Sequence, residues 1–137
     1  NQTTFYFTNM TPQLGTLNQG IWEKLESKVR DWTRQCDTLY VVTGAMPTVS
    51  QDDAVTYTYD NNNSKVAVPK YYFKALLKRK KNTFSSIAFK FNNAYPVFPN
   101  VSQYQMTVTD LEKLTGFRFF PKIDASVKEK IVDKDWK

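Results

Sequence analysis

Leu17, Ile21, Trp22, Leu25, Val29, Trp32 and Cys36 recur at spacings of three and four. That is one apolar stripe of an amphipathic α-helix. Thr16 with Gln19 three residues later fits a capping box and sets the N-cap at Thr16. Asp37-Thr38 is expected to end the helix.

The rest of the chain reads mainly as strands. Residues 3–8 are β-branched and aromatic, and Leu39 to Thr43 is a short apolar run closed by Gly44 and Pro47. Met10 to Gly15 between them reads as a loop. Residues 48–64 are polar and end in Asp60-Asn61-Asn62-Asn63-Ser64, a surface hairpin or loop. Val66 to Val68, Tyr71 to Leu77 and Ser86 to Phe91 follow as strands, the last two joined by a basic turn, Lys78 to Asn82. Tyr95 to Asn100 is a loop. Thr109 can cap a short helix from Asp110 to Leu114 that Gly116 ends, and a short charged helix closes the chain. Irregular mixing of helices with antiparallel-type strands predicts an α+β fold in one domain unit over 1–137.

Hydrophobic residues make up 41% and aromatic residues 15% of the chain, too apolar for a disordered tail. A formal net charge of +6 fits a polyanionic partner, though many domains carry such a charge with none. No apolar run reaches the ~18 residues of a membrane span. Cys36 is the sole cysteine, so no internal disulfide framework exists. Histidine is absent, which excludes a His-based triad, a histidine general base and a His-containing zinc site within these 137 residues. The chain starts at Asn1 without a signal peptide, so it is expected to be processed, proteolysed or engineered.

The polar side of the first helix carries Asn18, Glu26 and Arg30. Glu26 is displaced from Asn18 by ~80° and ~12 Å along the axis, and Arg30 follows Glu26 at i+4. An amide oxygen and a carboxylate suit hydrated Mg²⁺, and a guanidinium suits phosphate. On spacing alone, an ordinary Glu26–Arg30 surface pair with a solvated Asn18 explains the same residues. Lys70, Lys74, Lys78, Arg79, Lys80 and Lys81 could track a phosphate backbone or could be a solvated hairpin tip. Tyr71-Tyr72-Phe73 and Phe117, Phe119 and Phe120 read as core rather than as base-stacking platforms.

The run Phe5-Tyr6-Phe7-Thr8-Asn9-Met10-Thr11-Pro12-Gln13, followed by Leu17-Asn18-Gln19-Gly20-Ile21-Trp22 and Leu25-Glu26, resembles the central motif of the DNA/RNA non-specific endonucleases. These are ββα-metal, or His-Me finger, nucleases. Tyr40-Val41-Val42-Thr43-Gly44, Val66-Ala67-Val68-Pro69 with Phe73-Lys74, and Leu111 to Gly116 with Phe119-Phe120-Pro121 look like the family in the expected order. The resemblance implies a mostly antiparallel sheet flanked by helices, incomplete without an N-terminal portion. It also implies Mg²⁺-dependent hydrolysis of DNA and RNA, with Mn²⁺ as a substitute. Asn18 matches the direct protein ligand of the metal. Glu26 matches the acidic residue that orients metal-bound water, and Arg30 an arginine on the scissile phosphate. Asn9 matches an asparagine supporting the site or substrate. Arg30, Lys78, Arg79, Lys80 and Lys81 are the expected nucleic-acid contacts.

Two departures stand out. Phe5 occupies the place of a further active-site asparagine found in some members. The family's Asp-Arg-Gly-His motif, whose histidine activates water, is missing. The chain alone is therefore expected to be inactive, its partner being an N-terminal portion present upstream or as a separate chain. A missing general base typically costs ~10²–10⁴-fold in rate. The rival expectations are a non-catalytic nucleic-acid-binding module and a protein-interaction module on the same scaffold. Bacterial members imply a secreted or periplasmic location.

Overall fold

The computed structural model describes residues 3–5, 15–48, 54–59, 61–93 and 98–137; for 3–5, 15–19, 56 and 58 it describes the backbone alone. Asn9, the second half of the expected 3–8 strand, most of the 10–15 loop and half of the 95–100 loop lie outside the described residues.

Strand β1 (Thr3–Phe5) precedes helix α1 (Gly15–Thr33). Then come β2 (Thr38–Met46), the hairpin β3 (Thr56–Tyr59) and β4 (Lys65–Val68), and the long hairpin β5 (Tyr71–Lys80) and β6 (Thr83–Asn92). A 3-10 turn at Val101–Tyr104 leads into β7 (Gln105–Met106), α2 (Val108–Thr115), α3 (Ala125–Lys128) and a final 3-10 turn at Asp133–Trp136. The main sheet runs β1-β2-β5-β6-β7, antiparallel except where β1 joins β2 in parallel. This is the expected α+β class.

β5 is buried without a break from Tyr71 to Lys78 because it is central and covered on both faces. On one face Ile21, Trp22, Leu25, Val29 and Trp32 of α1 pack on Leu39, Val41, Tyr72, Leu76, Ile87, Phe89 and Phe91. On the other, Val108 and Leu111 of α2 and Phe119 cover Tyr71, Phe73, Ala75 and Ala88. The helix stripe therefore becomes one wall of a three-layer core. Leu25 is fully enclosed in it, so Leu25→Ala should cost about 2–5 kcal/mol.

Several boundaries differ from the sequence reading. The helix includes Gly15, so Thr16 lies inside it rather than at its cap. It stops at Thr33, and Cys36 extends the apolar stripe only because it packs against the core from the following turn. β2 runs through Gly44, where a side chain would bring its Cβ within 2.5 Å of the Phe73 ring. Glycine there permits close approach and does not end the strand. Thr107, not Thr109, caps α2: its Oγ1 accepts the Asp110 N–H at 3.1 Å. Gly116 closes α2 at φ +78°, the left-handed conformation expected of a C-terminal glycine. The expected basic turn is mostly strand, with only Lys81-Asn82 turning. Past α2, Glu112 accepts hydrogen bonds from the Phe119 N–H (2.9 Å) and from Lys128 Nζ (3.1 Å), which pins α3 to α2.

Candidate active site

Trp22, Glu26 and Arg30 follow one another by four residues on α1. Each step of four drifts ~40° around the axis. The drift is visible as exposure: Trp22 is buried, Glu26 half-buried and Arg30 exposed. Asn18 is one step earlier in the same helix. Arg30 donates from Nη2 to Ser27 Oγ at 3.3 Å. Among the described residues, the Glu26–Arg30 surface pair that spacing alone would suggest is not formed; the salt bridges are Arg34–Asp31 and Lys128–Glu112. Glu26 and Arg30 are thus not committed to each other.

The sheet contributes a residue that sequence reasoning placed wrongly. Lys74 sits on β5 directly opposite Thr43 of β2, under α1. It is only 1% exposed. Its Nζ donates to Thr43 Oγ1 at 2.9 Å and lies 4.6 Å from the centroid of the Trp22 ring. Burial pulls its pKa down to about 8, while the Glu26 carboxylate opposes the shift. A buried ammonium thus lies on the α1 side of the sheet, against the Trp22 ring. The signal was present in the sequence: Lys74 is the one charge inside the otherwise uncharged run Tyr71 to Leu77.

Lys78 also departs from expectation. It is 5% exposed, not a cation of the hairpin tip. Its Nζ donates to Gln35 Oε1 at 3.1 Å and to the Asp135 carbonyl, and it lies 4.7 Å from the Trp136 ring centroid. Side chains on a strand alternate, so Lys78 shares the inward face with Lys74. Arg79, Lys80 and Lys81 are exposed. Asp37 anchors this tip, donating its N–H to the Arg79 carbonyl (2.9 Å) and accepting the Lys81 N–H (2.6 Å). The tip thus lies by the C-terminal end of α1, roughly 20 Å along the axis from Asn18. The structure does not bring the two groups together.

Among the described residues, no cluster of three or more His, Cys, Asp or Glu could hold a metal. Of the carboxylates on α1, Glu26 is half-buried while Glu23 and Asp31 are exposed; carboxylate and amide oxygens suit a hard cation that keeps most of its water. A separate cleft of about 620 Å³, lined by Gly44, Phe73, Phe117, Arg118 and Phe120 among others, contains none of Glu26, Arg30 or Lys74. Tyr71, Tyr72, Phe73 and Phe119 are core, as expected, whereas Phe117 is half exposed.

An α+β fold of this class agrees with the sequence resemblance. The family model of the DNA/RNA non-specific endonucleases matches residues 1–126, and the chain belongs to that family. Nuclease C1 of Cunninghamella echinulata var. echinulata is 35% identical over 128 residues, covering 90% of this chain and 51% of its own length. Human mitochondrial nuclease EXOG is 32% identical over 129 residues, covering 88% and 35%. Human mitochondrial endonuclease G is 30% identical over 130 residues, covering 88% and 42%. The chain thus spans about half or less of the length of these relatives. They also correct the expected bacterial export: they are mitochondrial nucleases and a fungal one, not secreted bacterial proteins. No helix among the described residues is long and apolar enough to cross a membrane.

Proposed function

We propose that this chain carries the metal-binding and phosphate-neutralising part of a Mg²⁺-dependent endonuclease acting on DNA and RNA without strong sequence preference. The observation that supports the reading is Glu26, half-buried on α1, with Arg30 exposed one turn on and not paired with it among the described residues. Asn18 holds the cation, with Mn²⁺ as a substitute. When bound, the ion offsets negative charge on the phosphate and the departing 3′ oxygen. Glu26 accepts hydrogen bonds from neighbouring water and keeps that water oriented. Arg30 donates to the phosphate as charge builds on it. Asn9 supports this geometry or the substrate. Arg79, Lys80 and Lys81 contact the nucleic-acid backbone farther from the scissile bond, which suits an enzyme that ignores sequence. With no histidine among the 137 residues, the general base belongs to an N-terminal portion, in the same polypeptide or as a separate chain.

Digestion of plasmid and of RNA in Mg²⁺ buffer tests this. The isolated chain should not cleave, and the protein with its histidine-bearing portion restored should, until a chelator is added. Robust cleavage by the isolated chain would show that another residue serves as base. No cleavage by the restored protein would defeat the reading.

A further inference from the structure

We infer that the cleft at the tip of the β5–β6 hairpin is a phosphate-binding pocket, which holds one backbone phosphate of a nucleic-acid strand at a distance from the site on α1. The inference gives the contacts proposed above for Lys80 and Lys81 a definite place. It rests on that reading only for the strand; phosphate binding itself stands apart from it.

Across the end of this hairpin Lys80 pairs with Thr83 and Lys78 with Ser85. Cross-strand partners project to one face of a sheet, so these four side chains share a side. With Lys81 and Asp135 they line a cleft of about 230 Å³. That is below the ~300–1,000 Å³ of a typical small-molecule site. Among the described residues that line it none is aromatic, so a base finds nothing to stack on and a phosphate group alone fits. Arg79 alternates to the opposite face and lies outside the cleft.

Lys78 is the residue that calls for an anion. It is 5% exposed, and its Nζ donates to Gln35 Oε1 and to the Asp135 carbonyl. Both acceptors are neutral. Among the described residues the ion pairs are Arg34–Asp31 and Lys128–Glu112, so no carboxylate stands at salt-bridge distance from this buried ammonium. A buried charge without a counter-ion is costly. Burial lowers the Lys78 pKa and the Lys80 ammonium lowers it further, against the opposing charges of Cys36 and Asp135. An anion in the cleft would relieve both effects. The donors for it are at hand. Ser85 is buried at the base of the cleft and its Oγ accepts from Trp136 Nε1 at 3.0 Å, which leaves its own O–H to donate. Thr83, Lys80 and Lys81 are exposed and supply a further hydroxyl and two ammonium groups, charge-assisted donors for phosphate oxygens. Three lysines against the one carboxylate of Asp135 leave the cleft net positive.

The test is binding to the full-length protein in excess chelator, where no strand is cut and no metal bridges the phosphate. Nuclear magnetic resonance follows the Trp136 indole N–H, which reports on Ser85. The probes are inorganic phosphate and a short single DNA strand without terminal phosphates. Both should shift this signal saturably, and the strand should displace phosphate. Lys80→Met and Thr83→Val change exposed side chains and should each weaken phosphate by up to about 5-fold. Asp135→Asn keeps the carbonyl that Lys78 donates to and should strengthen phosphate by a similar factor. Arg79→Met should leave phosphate affinity unchanged. No saturable shift with inorganic phosphate would overturn the inference, as would equal losses for Lys80→Met and Arg79→Met, the mark of diffuse charge. Phosphate that the strand does not displace would assign the pocket to free phosphate and overturn the strand. Cleavage is a separate readout: if the full-length protein does not cleave with Mg²⁺, the proposed function fails, while the indole titration still decides the pocket.

Discussion

Lys74 and Lys78 are two lysines on the same face of the same strand, and they are held by different partners. Both are almost fully buried, both lie over a tryptophan ring, and burial lowers the pKa of both. Lys78 is locked by the Gln35 amide oxygen and the Asp135 carbonyl, and so holds the C-terminal turn under the sheet. Lys74 donates to the Thr43 hydroxyl, and the charge of Glu26 opposes the fall that burial imposes on its pKa. Burial and residue type alone do not distinguish the two.

The largest effect should come from the helix above Lys74. In the histidine-bearing protein, Asn18→Ala should lower turnover by about 100-fold or more, because it loosens the cation that offsets several kcal/mol of phosphate charge. Glu26→Ala should act in the same direction but less strongly, since water can partly replace a carboxylate. Steady-state kinetics across a Mg²⁺ series would show both, and a near-normal Asn18→Ala turnover would remove the site from this end of α1.

Next comes the contrast between the two lysines. Lys78→Met removes the ammonium that the part-buried Asp135 carbonyl accepts from and should cost about 1–3 kcal/mol in urea unfolding, with kcat unchanged. Lys74→Met should cost less than Lys78→Met, because Lys74 donates to a hydroxyl that can turn to another partner, whereas Lys78 donates to an amide oxygen and a backbone carbonyl. Equal stability losses would erase the distinction.

The pH dependence sharpens it. With a folded pKa of about 8 against an ordinary 10.5 for Lys74, the unfolded chain binds more protons between those values. The penalty for burying the charge is therefore fully present below pH 8 and is relieved as pH rises towards 10.5. Stability of the metal-free wild type should rise with pH there relative to Lys74→Met, by at most about 1.4 kcal/mol per pH unit. Parallel curves from urea unfolding at pH 7 to 10 would mean that Lys74 does not titrate as its burial implies.

The smallest effect belongs to the exposed tip. Replacing Arg79, Lys80 and Lys81 together should leave turnover and stability nearly intact but flatten the salt dependence of nucleic-acid binding, by roughly 0.7–0.9 in log–log slope for each lost phosphate contact. An unchanged slope would mark the tip as a solvated turn.

Much of this was legible in the sequence. The spacing from Leu17 to Trp32 marked α1, and the family motif singled out Asn18, Glu26 and Arg30 on its polar edge. The lysines of β5 were not legible in the same way. Six basic residues between 70 and 81 looked like one patch, because sequence adjacency does not show which face of a strand looks inward. The strand pairing decides it, since the register that sets Lys74 opposite Thr43 also turns Lys78 inward. Gly44 misled for a related reason: it looked like a strand end until the Phe73 ring was found across it. Long-range contacts made those differences, and no local pattern records them.

The most direct test is to locate the cation. A crystal of the protein grown with excess Mn²⁺ would place it by anomalous scattering. The expected peak lies on the Asn18 carboxamide near the start of α1, with Glu26 reaching it through water. A peak elsewhere, beside Asp133 and Asp135 for instance, or a Glu26 side chain turned away from Asn18, would contradict the assignment of this helix edge as the active site.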